Sequence, residues 1–208
     1  MASEVTICNQ AISRLGGNLI ISIDDTSTEA KLCKANYAEL RDAVIQDRQW
    51  TFATERFLLP RVAPLPEDTD PNQFTHRYLI PPTVLTVIRA SSEKDDRRPN
   101  PDPFRVEGEY ITSDAAKMYV KAIVQVVDPN KFHPMFRQAL AVRLAAEICV
   151  ALTASTKVQQ ALFGEYQALL LNAETVDGMQ GTTERIRSSE YIAVRSSGAY
   201  GSYIGPLV

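Results

Sequence analysis

Cysteine is scarce in this 208-residue chain. Cys8, Cys33 and Cys149 are too few and too far apart for a disulfide framework, and they lack the paired spacing of a zinc site. Long apolar runs are missing too. No stretch approaches the roughly 18 consecutive apolar residues of a spanning helix, so no membrane segment is expected. A basic excess is also absent: 22 Lys and Arg stand against 25 Asp and Glu, for a net charge of −3. Tight, general binding of DNA is disfavoured by that balance. The first ten residues, MASEVTICNQ, carry neither the basic nor the apolar region of a signal peptide, so folding in a reducing cytoplasm is expected. There is no phosphate-binding Walker loop, no Gly-x-Gly-x-x-Gly and no nucleophile elbow.

The composition that remains is that of an ordinary globular protein, 45% apolar and 23% charged. A chain of this size buries roughly 70% of its unfolded surface and needs no covalent staple.

Glycine and proline divide the chain. Nine of the twelve prolines fall between Pro60 and Pro103, and no glycine occurs between Gly17 and Gly108. The middle is therefore punctuated by turns, while the flanks are free to be helical. Ser3 caps a helix whose stripe is Val5, Cys8, Ile12 and Leu15, and Gly16-Gly17 ends it. A short apolar run, Leu19 to Ile23, follows. Thr26 to Glu29 matches a capping box with Thr26 as cap. Behind it Ala30, Cys33, Tyr37, Leu40 and Val44 repeat at 3-4-3-4 spacing, which predicts a helix to about Arg48. Lys34, Arg41, Asp42 and Asp47 lie off that stripe and are expected in solvent. Trp50 and Phe52 are expected as core anchors.

Strands are expected near Phe57–Leu59, Arg77–Ile80, Val84–Ala90, Phe104–Glu107, Tyr110–Thr112 and Met118–Gln125. Gly108 should supply the positive φ of a tight hairpin. The alternation around Tyr119, Lys121 and Ile123 suggests a strand that is at best partly buried. The charged, proline-bearing stretch from Arg89 to Pro103 reads as a surface loop. Pro134 suits the first turn of a helix through Leu152 that is apolar nearly all round, hence central. A last helix, about Thr156 to Asp177, carries Val158, Leu162, Tyr166, Leu169, Ala173 and Val176 on one face. The expected class is α+β. Residues 1–52 and 128–177 form a bundle of about four helices, 53–127 a small β-rich insertion, and 178–208 an extended C-terminal tail.

Chemical motifs fail one by one. Asp68-x-Asp70-x-Asn72 opens like a calcium loop, but Gln73 and Leu79 stand where glycine and a bidentate glutamate are required. Ser91-x-x-Lys94 lacks the companion elements of serine acyl-enzymes. His76 and His133 have no ligand at metal spacing and read as surface or turn residues. Glu147, in the apolar helix, is followed at +3 by Val150 rather than by the histidine a di-iron site needs. An ion pair with Arg143, bridging helices, is the expected fate of Glu147. No catalytic residue, cofactor or metal is expected. The tail differs: Arg185, Arg187, Tyr191, Ile192, Arg195, Tyr200, Tyr203 and Ile204 include residue types that anchor interfaces, and they are the candidate partner-binding set.

Particular segments, in their order, resemble a known family. They are CNQAISRLGG; Tyr37-Ala38-Glu39-Leu40-Arg41-Asp42; Trp50-Thr51-Phe52-Ala53; Tyr110-Ile111-Thr112; Asp128-Pro129-x-x-Phe132; Phe136-x-x-Ala139-Leu140-Ala141; and Leu144-Ala145-Ala146-Glu147. Over about residues 4–177 the chain resembles the tail tubular protein A family, the head-to-tail adaptors of short-tailed bacteriophages. The resemblance implies a structural role in the virion, at the head–tail junction. It implies a homo-oligomeric ring, in the family typically of twelve copies, beneath the portal protein. Such a ring extends the DNA channel, lets DNA pass without specific binding, and carries the distal tail (nozzle) protein. The family's C-terminal segment commonly takes part in docking onto the portal. The alternatives are a virion-associated cell-wall hydrolase, for which Glu107 and Glu109 are the nearest carboxylate pair, and a standalone phage or host interaction module.

Overall fold

The computed structural model describes residues 2–62, 74–94 and 103–178, with side chains as far as Ala173. Four helices from the two ends of the chain enclose an inserted β-rich region, the α+β arrangement expected.

The first helix, α1 (Glu4–Leu15), starts where the Ser3 hydroxyl accepts from the Thr6 amide at 3.1 Å and stops at Gly16, with φ 71°. The run after it forms no strand. Ile20 turns inward, held by the Asn9 side chain, which donates to the Ile20 carbonyl and accepts from its amide. Leu19 and Ile21 on either side are left exposed, Ile21 at 93%.

Helix α2 (Thr28–Gln46) is capped by Ser27, whose hydroxyl accepts from the Ala30 amide, and not by Thr26. Glu29 thereby sits too near the helix start to close a box. Its carboxylate instead accepts from the backbone and side-chain amides of Asn18. Its own backbone amide and that of Asn18 hold this carboxyl below the usual glutamate range. The 3-4 stripe is buried as expected. The helix ends two residues before Arg48, and Arg41, expected in solvent, is only 5% exposed. Its guanidinium forks onto Asp42, Nε to Oδ1 at 2.8 Å and Nη2 to Oδ2 at 3.1 Å, and Gln125 donates to the same Oδ2 at 2.7 Å. Because α2 packs against both helical and sheet neighbours, its covered arc is wider than one stripe. Lys34 stays exposed, paired with Asp24.

The chain leaves α2 through Trp50, which is 2% exposed and donates its indole N–H to the Val44 carbonyl at 2.9 Å. Trp50, Phe52, Phe132 and Phe136 form a tilted and edge-on aromatic cluster with centroids 4.7 to 6.0 Å apart.

Among the described residues seven strands follow: β1 (Thr54–Leu58), β2 (Arg61–Val62), β3 (His76–Leu79), β4 (Val84–Ser91), β5 (Phe104–Glu107), β6 (Tyr110–Ser113) and β7 (Tyr119–Val124). They form two antiparallel sheets, ordered β1-β7-β4 and β2-β3-β6-β5. The β5–β6 hairpin turns at Gly108, with φ 60°. Arg89 to Ser91 belong to β4 rather than to a loop, and residues 95–102 lie outside the described residues. The strand expected to be at best partly buried, β7, is the central strand of its sheet, with Val120, Ala122, Ile123 and Val124 buried. One side of β7 helps fill a small core with Leu59, Tyr78, Ile111 and Met118. Its C-terminal end enters the helical core.

Helix α3 (Pro134–Thr153) opens on Pro134 and packs against α1, α2 and α4 (Thr156–Gly178), which is why its sequence is apolar on nearly every face. Arg143 and Glu147 pair at 3.6 Å along α3 itself, not between helices. What Arg143 offers α4 is its guanidinium face, 4.7 Å from the Phe163 ring. Val158, expected on the buried stripe, is 39% exposed, and Val150, near the end of α3, is 41% exposed.

Candidate interaction surface

A cleft of about 740 Å³ opens where the end of α2, strand β4 and helix α4 meet. Trp50, Val87, Ile88, Ile123 and Ala173 contribute its apolar lining. Gln46, Asp47, Arg48 and Gln49 are its polar residues on the α2 side. Two contacts fix that side: the Gln46 amide donates to the Leu85 carbonyl at 3.0 Å, and the Tyr166 hydroxyl of α4 donates to the Asp47 carboxylate. Burial, together with this hydrogen bond, raises the Tyr166 phenol well above its ordinary value, so it stays protonated and keeps donating. Asp47 is solvent-exposed as expected, yet it ties α4 to the end of α2. The cleft thus offers an apolar recess with a polar rim and one committed carboxylate. That chemistry suits holding a peptide segment better than bond-making, which needs a general base or nucleophile placed against a substrate.

The residues singled out for chemistry are scattered. Glu107 and Glu109 flank the exposed hairpin tip at Gly108. His76 lies on β3 with Nδ1 2.8 Å from Arg61 Nη2, and His133 precedes α3. Ser91 is buried in β4, where its hydroxyl accepts from the Glu93 amide. All three cysteines are buried. Hydrogen bonding to Cys33, added to burial, pushes the Cys8 thiol up. Among the described residues no group of three or more His, Cys, Asp or Glu is placed to hold a metal ion. Asp68, Asp70 and Asn72 lie outside the described residues.

The partner-binding candidates Arg185, Arg187, Tyr191, Ile192, Arg195, Tyr200, Tyr203 and Ile204 also lie outside the described residues. The point from which they depart is defined. Helix α4 runs on from Ala173, in the cleft lining, to Gly178, about 8 Å further along its axis. The cleft itself was not anticipated. Its one trace in the sequence is the polar run Gln46 to Gln49 set directly before a buried tryptophan. No family model matches the chain, and no curated protein matches it.

Proposed function

We propose that this chain is a head-to-tail connector subunit of a short-tailed bacteriophage. It forms a ring beneath the portal, extends the DNA channel and carries the distal tail component. One observation supports this most. Segments that carry the resemblance, far apart in sequence, supply one structural centre: Trp50 and Phe52 meet Phe132 and Phe136. These rings tie the exit of α2 to the entry of α3 and hold the bundle as one rigid unit. A rigid bundle suits a ring, whose repeated head-to-tail contacts must close by rotation. The exposed Leu19 and Ile21 are apolar surface available for such contacts. The tail, with its arginines and tyrosines, is assigned to the portal. The subunit is not an enzyme in this reading, and the exposed hairpin site of Glu107 and Glu109 lends the hydrolase alternative no support.

Particles assembled without this chain should accumulate as DNA-filled heads that lack tails. Adding back the purified protein, then the distal tail components, should restore infectivity. Tailed, infectious particles from which the chain is absent would contradict the proposal.

A further inference from the structure

The outer face of the three-stranded sheet carries a row of cations that no single stretch of sequence contains. Lys121, on the central strand β7, lies directly opposite Arg56 of β1 on one side and Arg89 of β4 on the other. Two residues along, and therefore on the same face, Tyr119 stands between Leu58 and Ser91. The intervening Val120 and neighbouring Ala122 point the opposite way, into the core between the sheets. Further along the row's own face Ile123 is covered by the helices. The cations therefore occupy the part of the sheet face that the bundle leaves open. Arg56 is exposed, and Arg89 and Lys121 are half-buried.

Strand spacing sets the three Cα atoms about 5 Å apart, so the row spans about 10 Å. Like charges placed directly across strands destabilise a sheet. This fold sets three in line. All three, with Lys94, Tyr119 and Leu58, line a cavity of about 300 Å³. Among the described residues Glu93 is the acidic member of that lining. Arg56, Arg89 and Glu93 also make contacts of their own within the chain.

We infer that this face binds single-stranded nucleic acid, with two or three phosphates along the Arg56–Lys121–Arg89 row and a base stacked on Tyr119. Guanidinium forks match phosphate oxygens bidentately, and the central ammonium adds a third point charge. A basic track beside an aromatic platform is the arrangement that accepts a single strand without reading its sequence. A duplex keeps its bases stacked inside and can use the cations but not the ring. An acidic peptide can likewise meet the charges and gains nothing specific from a flat aromatic face. The net charge of −3 keeps the binding weak and local. This inference concerns the subunit alone and stands without the connector reading.

The test is fluorescence anisotropy of a labelled twelve-residue oligothymidylate titrated with the full chain. Binding of about 10–100 µM is expected at 50 mM salt. Two or three phosphate contacts predict a log–log salt slope of about −1.4 to −2.1, so affinity falls roughly 7- to 18-fold between 50 and 200 mM. Lys121→Gln should flatten that slope by about 0.7. Arg56→Gln, Arg89→Gln and Lys121→Gln together should remove binding, with a melting curve run alongside to show that the variant is folded. Should the triple variant fail to fold, the single variants decide. Tyr119→Leu should weaken binding several-fold and leave the slope alone, a split that general loss of structure would not produce. No binding at 50 mM salt, unchanged binding in the folded triple variant or an unmoved slope in Lys121→Gln would overturn the inference. Equal affinity for a duplex of the same length would overturn the stacking role and with it the single-strand assignment. Equal affinity for polyglutamate would reassign the face to an acidic protein segment.

Discussion

Removing residues 179–208 should leave the thermal midpoint of the subunit within about 2 °C of the full chain and abolish its attachment to portal-bearing heads. The first half follows from the composition of the segment removed, set against a core that, among the described residues, already runs from Ile7 to Ala173. The removed segment is rich in Gly, Ser and Tyr and poor in large aliphatics, with little to offset an ordering cost of roughly 1–2 kcal/mol per residue within one subunit. On the proposed docking to the portal, a partner groove would change that balance by burying Tyr191, Ile192, Tyr200, Tyr203 and Ile204 and pairing Arg185, Arg187 and Arg195 with acidic groups. The measurements are a melting curve and co-sedimentation with filled heads. If the truncated chain docks with normal affinity, the docking surface belongs to the helices, and the cleft beside Trp50 becomes the first place to look.

Phe136→Ala should cost the folded subunit about 4 kcal/mol, the largest effect expected of any single substitution here. Phe136 is fully buried on the central helix and contacts Trp50, Phe52 and Phe132, with ring centroids 5.2, 5.0 and 4.7 Å away. Those partners come from the exit of α2 and the entry to α3. The void left by an alanine therefore loosens the joint that binds the two halves of the bundle. Against a typical total of about 5–15 kcal/mol, this is a large fraction. Val106→Ala, at a half-exposed strand position, should change stability by less than about 0.5 kcal/mol and serves as the control. Denaturant titration of both variants decides the matter. A loss below about 1.5 kcal/mol at Phe136 would mean that the cluster relaxes and is not the keystone of the bundle.

What the sequence made legible was periodic. The 3-4 stripe from Ala30 to Val44, the apolar α3 and the turn at Gly108 carry local signals strong enough to survive folding, and each element stands where its signal put it. What it concealed depends on partners distant along the chain. Arg41 is buried because α2 packs against both helices and sheet, where Asp42, itself held by Gln125, pairs with it, and nothing near residue 41 announces that packing. Thr26 and Ser27 are equivalent as caps on paper, and Ser27 prevails while Glu29 is engaged by Asn18. Strand β2 is two residues long, too short for any period to show. The central place of β7 is a matter of sheet order, which alternation alone does not encode. The cation row is the extreme case: Arg56, Arg89 and Lys121 become neighbours only through strand register. The cleft beside Trp50 joins α2, β4, β7 and α4, so no single segment could reveal it.

The connector assignment is tested most directly by native mass measurement of the purified chain, alone and with the portal ring of the same phage. On the proposal that the portal templates the ring, the subunit alone should be a monomer of 23.1 kDa at micromolar concentration. With the portal it should form one closed assembly of about twelve copies, stacked coaxially on the portal by electron microscopy. A stable ring without portal would remove the templating step and leave the connector role intact. Failure of the folded, full-length chain to join the portal at any stoichiometry would contradict the assignment itself.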